Sequence, residues 1–237
     1  MPARPVLRRV AAEALGTGVL LCAIVGSGIM ATNLTDDVAV QLLINALSTI
    51  AALGVMIWAL GPISGAHFNP AVTLVALSRR ELSVGEAASY VVAQVLGGLT
   101  GAAVANVMFT LPALHPSTQA RDTPNLWLGE MVATAGLIAA IGALTRTGNG
   151  RLGPVVVPAW IGAAYFFTSS TSFANPAVTI ARSLTDTFAG IAPAGVAAFI
   201  GAQVVGAAIG ALLTELFYPR PGIPEPMDLP TSVHTPG

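Results

Sequence analysis

The sequence predicts an all-α membrane protein with six transmembrane helices and two re-entrant half-helices arranged as an inverted repeat. Three observations support this fold class: an apolar composition, six long apolar segments, and two copies of an Asn-Pro-Ala box. Of the 237 residues, 54% are hydrophobic and 9% are charged, whereas about a quarter of the residues in a soluble domain are charged. The mean hydropathy of +0.76 therefore predicts an integral membrane protein.

Six apolar segments have about the length needed to cross a bilayer, although the fifth is short. They cover residues 9–31, 39–60, 83–106, 126–145, 154–168 and 194–217. The first follows a charged start, but it is long enough to remain as an uncleaved helix. We therefore predict a cytoplasmic N-terminal segment at 1–8, a membrane domain at 9–217 and a Pro-rich, disordered cytoplasmic tail at 218–237.

The distribution of arginine predicts how the helices are oriented. All ten basic residues are arginines. If the six helices alternate in direction, eight of these arginines fall on one side of the membrane, and only Arg121 and Arg182 fall on the other. Because the positively charged side usually faces the cytoplasm, both termini are expected there.

Two further apolar stretches are too short to cross the bilayer. They are ISGAHFNPAVTLVAL, between the second and third spans, and STSFANPAVTIARSL, between the fifth and sixth. Asn is a strong helix N-cap and Pro is favoured at the first helical position. We therefore expect Asn69-Pro70 and Asn175-Pro176 each to begin a half-helix at membrane depth. Irregular backbone persists at that depth only when it is buried in protein or lines a water-filled path.

The two halves of the chain contain the same three blocks in the same order. AEALGTGVLL matches GEMVATAGLI, NPAVTL matches NPAVTI, and AQVLGGLTGA matches AQVVGAAIGA. Each half, about 9–106 and about 126–217, holds three spans, so the second half must be inverted relative to the first. The positive N-terminal ends of the two half-helices are then expected to meet at the midplane of the membrane.

These motifs resemble the aquaporin and glycerol-facilitator family, also called the major intrinsic protein family. The paired boxes, the Glu-x-x-x-Thr of the first and fourth spans, and the Ala-Gln-Val-x-Gly of the third and sixth carry the resemblance. It covers roughly residues 8–217 and implies an aquaporin-like fold with one pore per subunit in the lipid bilayer, usually as a homotetramer. The pattern NPAVTIARSL is similar to a bacterial branch linked to metalloid permeation, which implies the inner (plasma) membrane.

The resemblance also implies which residues line the pore at the two boxes. These residues are Asn69, Pro70, Ala71, Asn175, Pro176 and Ala177. The asparagine side chains are expected to donate N–H groups to a passing solute, while the half-helix dipoles oppose cations and proton hopping. Capping alone accounts for one such asparagine, but not for two inverted copies. His67 is expected near the cytoplasmic pore mouth, with a purely structural role as the alternative.

Glu13 and Glu130 lie deep within predicted spans, where an ionisable side chain is a functional candidate. Their equivalent positions in the two repeats favour a supporting role, in which they accept N–H groups from the re-entrant loops. A proton relay is the alternative and would make the protein an ion-coupled transporter. A chain of further acids or histidines around them, which such a relay needs, is not evident in the sequence.

Water channels of the family have an arginine immediately after the second box, where this sequence has Val178. The resemblance implies that the other filter positions are Thr49, Ser172 and Tyr165, with Phe166 or Phe167 as alternatives to Tyr165. Loss of the guanidinium widens the constriction and removes both a fixed charge and a set of N–H donors. We therefore expect passage of water and small neutral solutes: glycerol-like polyols, urea, or neutral metalloid acids such as arsenous acid.

Arg182 lies four residues after Val178, on the same face of the predicted half-helix. Two roles remain open for its side chain. It either lines the outer vestibule of the pore, where it would attract anions, or forms an ion pair with Asp186, again four residues further along the chain.

Other function classes are weighed against a passive solute channel. A strict water channel, an ion-coupled secondary transporter and a scaffold with an occluded pore remain alternatives. An enzyme is not expected, because the sequence offers no metal cluster, nucleophile–base set or phosphate loop. We accordingly expect no cofactor and no metal, and the net charge of -1 gives no basic surface for nucleic acid.

Overall fold

The computed structural model describes residues 6–218. These residues form eight α-helices: α1 (Val6–Leu34), α2 (Val38–Ser64), α3 (Pro70–Ser78), α4 (Val84–Met108), α5 (Pro124–Arg146), α6 (Gly153–Phe167), α7 (Pro176–Arg182) and α8 (Pro193–Phe217). A 3-10 turn at Gly150–Leu152 precedes α6. The first five residues and the tail predicted to be disordered, from Pro219 onward, lie outside the described residues.

The six predicted spans coincide with α1, α2, α4, α5, α6 and α8, and the all-α fold is confirmed. Of the helices in residues 6–218, five are long and apolar enough to cross a membrane by length and composition, namely α1, α2, α4, α5 and α8. Helix α6 has 15 residues, fewer than the roughly 20 that span a bilayer. The largest boundary difference is at α2, which extends to Ser64 rather than ending at 60.

The helix packing repeats between the two halves of the chain. Helix α1 packs against α4, and α5 packs against α8 in the equivalent way, while α2 and α6 join the halves. A Cβ atom on Gly101 of α4 would collide with the backbone carbonyl of Gly18 in α1. One on Gly210 of α8 would collide with the carbonyl of Ala135 in α5. These glycines let the helix backbones approach closely at equivalent points.

Helices α3 and α7 are the two predicted half-helices, with 9 and 7 residues. The side chain of Asn69 accepts the backbone N–H of Ala71, and that of Asn175 accepts those of Ala177 and Val178. Each half-helix then begins at a proline, as the capping argument predicted. Helix α3 packs against α4 and α8, α7 packs against α4, α8 and α1, and the two contact each other. They therefore lie where the two repeats meet.

The loops that lead into the half-helices share an unusual backbone. Ala66 and Phe68 have positive φ angles in the first loop, as do Ser172 and Ala174 in the second. These positions are three and one residues before each capping asparagine. Such conformations cost a non-glycine residue about 1–3 kcal/mol and persist only where the surroundings hold them. Both loops are thus held in the same conformation by their surroundings.

Candidate functional site

A cavity of about 690 Å³ is enclosed by residues of both repeats. The predicted site residues that line it are Asn69, Asn175, Thr49, Tyr165, Ser172, Val178, His67 and Arg182. The other four box residues do not line it, because they are packed into the first turns of the half-helices: Pro70, Ala71, Pro176 and Ala177. Arg79, which follows α3, and Arg182, which ends α7, also line the cavity, and each lies at the far end of its half-helix from the capping asparagine.

The two box asparagines link the re-entrant loops to each other. The Nδ2 atom of Asn69 donates to the carbonyl oxygen of Ala174 at 2.7 Å. The Nδ2 atom of Asn175 donates to the carbonyl oxygen of Phe68 at 2.8 Å. Because each side-chain amide carries two N–H groups, one on each asparagine remains for a solute in the cavity. The half-helix N-termini thus meet at the middle of the cavity, with one spare donor on each side.

Glu13 is fully buried behind the first loop and holds it in place. Its carboxylate accepts the backbone N–H groups of His67 and Phe68, at 3.0 and 2.7 Å, and the hydroxyl of Ser64 at 2.6 Å. Both N–H groups belong to the strained part of the loop. The carboxylate therefore stabilises the backbone conformation, and it is not among the groups that line the cavity.

Glu130 holds the second loop in the same way. Its carboxylate accepts the backbone N–H groups of Phe173 and Ala174, each at 2.8 Å. It is also fully buried and does not line the cavity. The two glutamates therefore have matching environments in the two repeats.

Two glutamines that sequence reasoning did not single out complete these networks. Gln94 donates through Nε2 to Glu13 at 2.8 Å and to the hydroxyl of Thr73 at 2.9 Å. Gln203 donates to Glu130 at 2.6 Å and to Thr179 at 2.8 Å. Both glutamines come from the repeated Ala-Gln-Val block. A polar residue at the same place in two apolar spans was the signal that could have identified them.

The aromatic residue that α6 presents to the cavity is Tyr165. Its side chain is buried, and its hydroxyl lies 3.1 Å from that of Thr49 on α2. Phe166 and Phe167 are 55% and 54% exposed and do not line the cavity. Among the three alternatives on this helix, Tyr165 alone has the geometry of a wall residue.

Val178 and Ser172 line the same cavity as Thr49 and Tyr165. Val178 is 2% exposed. Its apolar side chain stands at the position where water channels of the family have an arginine. The hydroxyl of Ser172 is buried and has no hydrogen-bond partner in the described part of the chain. The cavity therefore combines the apolar surface of Val178 with the hydroxyl-bearing side chains of Thr49, Tyr165 and Ser172.

Arg182 does not form the ion pair that was considered from its spacing to Asp186. Its Nε–H donates to the carbonyl of Ala189, and its guanidinium carbon lies 3.4 Å from the ring centroid of Phe173. Asp186 instead accepts the N–H and the hydroxyl of Thr118, at 2.8 and 2.9 Å. The two ion pairs formed within residues 6–218 include neither residue. The ion-pair alternative is therefore wrong, and Arg182 lines the cavity.

Arg121 is a second cation beside the same aromatic ring, which the sequence did not predict. Its Nε and Nη1 atoms donate to the carbonyls of Gly190 and Ser170, at 3.0 and 3.3 Å. Its guanidinium carbon lies 5.1 Å from the ring centroid of Phe173. Burial lowers the pKa of Arg121 from its ordinary value, but a guanidinium remains protonated at neutral pH.

His67 lies in the cavity wall and is also tied to its neighbours. Its Nδ1 atom is 3.1 Å from the hydroxyl of Thr73, and its ring packs edge-on against Tyr90 with the centroids 5.5 Å apart. The Tyr90 hydroxyl donates to the carbonyl of Ser64 at 2.9 Å. The histidine therefore lines the cavity while its ring also contacts α3 and α4.

Comparisons with known proteins agree with this geometry. The family model described as "Major intrinsic protein" matches residues 2–173. The chain is 50% identical over 213 residues to aquaglyceroporin AqpS of Rhizobium meliloti, covering 90% of this chain and 91% of that protein. It is 33% identical over 198 residues to aquaporin Z of Photorhabdus laumondii, covering 75% of this chain and 82% of that protein.

A solved structure supports the fold independently. The X-ray structure of the aquaglyceroporin from Plasmodium falciparum superposes with a TM-score of 0.61. The superposition covers 91% of this chain and 96% of that chain, at 21% sequence identity. At this low identity the match shows a shared fold alone.

Proposed function

We propose that this protein, which belongs to the major intrinsic protein family of channels, conducts small neutral solutes passively through a wide outer constriction. It is a multi-pass integral membrane protein and not an enzyme. The proposed solutes are water, glycerol-like polyols, urea and neutral metalloid acids such as arsenous acid. The observation that carries this proposal is Val178, whose apolar side chain occupies the cavity wall immediately after the second box.

The cavity wall near Val178 has the chemistry that a hydroxylated solute needs. Thr49, Tyr165 and Ser172 contribute hydroxyl groups to it, and Tyr165 also contributes an aromatic face. A solute that leaves water must replace its hydrogen bonds, and the Tyr165 oxygen keeps lone pairs that accept hydrogen bonds from the hydroxyl groups of a solute. The absence of a guanidinium leaves more width at this level than a filter arginine would.

The middle of the pore supplies the next set of contacts. The spare N–H groups of Asn69 and Asn175 donate to a solute oxygen as it passes. The N-termini of α3 and α7 carry partial positive charge at the same point, which disfavours cations. Neutral molecules with oxygen acceptors are therefore favoured along this path.

The relatives support a solute channel over a coupled transporter. A protein named an aquaglyceroporin is half identical to this chain over most of both lengths. Glu13 and Glu130 hold backbone N–H groups and do not line the cavity, so they are poorly placed for a proton relay. A strict water channel remains the outcome to be distinguished by experiment.

The proposal also includes the membrane in which the protein lies, its orientation there and its oligomeric state. We expect the protein in the inner (plasma) membrane with both termini in the cytoplasm, because eight of the ten arginines fall on that side. We expect a homotetramer, and light scattering of the detergent-solubilised protein measures the mass. A mass of one subunit after correction for detergent would contradict that assembly.

Stopped-flow light scattering on proteoliposomes tests the solute range. Water, glycerol, urea and arsenous acid are compared for wild type, Val178→Arg and the uncharged control Val178→Leu. We expect wild type to pass all four, and Val178→Arg to lose roughly tenfold or more of the larger solutes while keeping most of its water flux. Val178→Leu, which adds bulk but no charge, should show a smaller loss.

Two other results would reject the proposal. If wild type passes water alone, the constriction is closed to larger solutes by other side chains, and the protein is a strict water channel. If a solute accumulates uphill when a proton or sodium gradient is imposed, the protein is a coupled transporter.

A further inference from the structure

Val178 carries no charge, but Arg182, one helical turn further along α7, does. Arg182 lies four residues further along α7, on the same face and about 6 Å along the helix axis. Both residues line the cavity. The apolar side chain and the guanidinium therefore occupy two successive levels of one wall, with the guanidinium nearer the mouth.

The guanidinium of Arg182 is directed into the cavity. The carbonyl of Ala189 occupies its Nε–H, but its two terminal amino groups have no acceptor among residues 6–218. Neither terminal amino group is both buried and without a partner, so each retains accessible surface. Because the residue is only 2% exposed overall yet lines the cavity, these groups face the cavity space.

Arg121 adds a second positive charge to the same cluster. The guanidinium carbons of Arg121 and Arg182 lie 5.1 and 3.4 Å from the ring centroid of Phe173. Carbonyl oxygens hold both side chains in place, and neither is in an ion pair within the described residues. The carboxylate of Glu130 lies behind the loop, occupied by the N–H groups of Phe173 and Ala174.

We propose that the outer half of this pore divides selection by size and selection by charge between two levels. The level of Val178, with Thr49, Tyr165 and Ser172, limits the size of the solute. Arg182, supported by Arg121, adds a barrier to protons and other cations one turn nearer the mouth. This inference rests on the proposed function, in which the wide constriction carries no charge of its own and the half-helix N-termini are the other source of positive potential.

The physical basis is that a fixed charge acts on ions at a distance, whereas a constriction acts by contact. Neutral solutes feel little of a unit charge beside their path, but a cation is repelled by it. At an effective dielectric constant near 20, two unit charges about 10 Å apart repel enough to change a flux by roughly tenfold. A guanidinium in the vestibule can therefore exclude cations without narrowing the pore.

The test uses the full-length protein in proteoliposomes, with charge and size selectivity measured on the same vesicles. Proton and sodium fluxes are followed with internal dyes under a clamped membrane potential, and glycerol flux is followed by light scattering. The variant Arg182→Met keeps the length of the side chain and removes its charge. The matched control is Arg80→Met, because Arg80 is exposed and is not among the residues that line the cavity.

We expect Arg182→Met to raise the proton and sodium fluxes by about tenfold and to leave glycerol flux within about twofold. Arg182→Lys, which keeps the charge, should stay near the wild-type cation flux. Val178→Leu should show the converse result, with reduced glycerol flux and unchanged cation flux. Wild-type cation fluxes in Arg182→Met, or equal leaks in the Lys and Met variants, would overturn the proposal.

If Arg182→Met does not fold, a second variant tests the same cation barrier. Arg121→Met removes the supporting charge, and we expect it to raise the cation fluxes by about threefold; unchanged fluxes would reject the barrier. Failure of the proposed function looks different, because wild type would then pass no glycerol or urea. In that case, a cation leak in Arg182→Met would support the cation barrier while the proposed solute range is rejected. No cation leak would reject the barrier and the solute range together.

Discussion

The hydroxyl groups of Tyr165 and Thr49 lie 3.1 Å apart and join α6 to α2 across the wall of the pore. The Thr49 hydroxyl also bonds to the carbonyl of Asn45, at 2.8 Å. Thr49 therefore donates to Asn45 and accepts from Tyr165 when both hydrogen bonds form. Lone pairs of the Tyr165 oxygen then remain for a solute in the cavity.

Replacing Tyr165 with phenylalanine should weaken the passage of polyols more than that of water. The change removes one hydroxyl from the wall without altering the size of the ring. Because a hydrogen bond contributes about 0.5–1.5 kcal/mol, we expect glycerol permeability to fall roughly threefold to tenfold. Stopped-flow measurements on proteoliposomes give both rates. Phe166→Leu, at a 55% exposed position outside the cavity, is the control, and an equal effect of both changes would refute this role.

Replacing Glu130 with glutamine should destabilise the second re-entrant loop. The carboxylate accepts the backbone N–H groups of Phe173 and Ala174, whereas an amide offers a single oxygen acceptor. Loss of one charged hydrogen bond costs about 1.5–3 kcal/mol. We expect a lower unfolding temperature in detergent, measured by tryptophan fluorescence. Glu81→Gln, at an exposed position, should leave that temperature nearly unchanged, and similar values for both variants would contradict the supporting role.

Two glycines of α8 should respond in opposite ways to the same substitution. Gly210 faces the carbonyl of Ala135, so Gly210→Ala forces the helices apart and should cost about 1–3 kcal/mol. Gly201 has open space around it, so Gly201→Ala should be neutral or stabilising by up to about 1 kcal/mol. Denaturation in mixed detergents compares the two variants. Equal stability would show that the close contact of α5 and α8 is not needed.

The loop contact of Asp186 should weaken in acid. Hydrogen bonds from the N–H and the hydroxyl of Thr118 lower the pKa of Asp186 below its ordinary value. The contact is therefore fully formed above the ordinary pKa and is lost as the pH falls through the lower folded value, below about pH 4. Hydrogen exchange of residues 109–123 should rise there in wild type. Asp186→Asn should show no such transition, and a pH-independent wild type would exclude this contact as the cause.

Much of the fold follows from local features of the chain. Runs of apolar residues set the spans, and the Asn-Pro pairs start both half-helices, because capping depends on a few neighbouring residues. The three repeated blocks also determine the inversion, since an odd number of spans reverses direction. The boxes and the two glutamates stood out in this way, whereas Val178 was singled out only through the resemblance to the family.

Only the tertiary structure decided how distant side chains meet. Spacing along the chain suggested Asp186 as the partner of Arg182, but the packed loops supply the carbonyl of Ala189 and the ring of Phe173 instead. Arg121 joins the cluster from a loop far away in sequence. These contacts depend on the direction in which each side chain leaves a packed helix or loop, and sequence periodicity does not encode that direction across elements. Composition and repetition therefore determined the membrane fold, whereas packing decided where the charge lies in the pore.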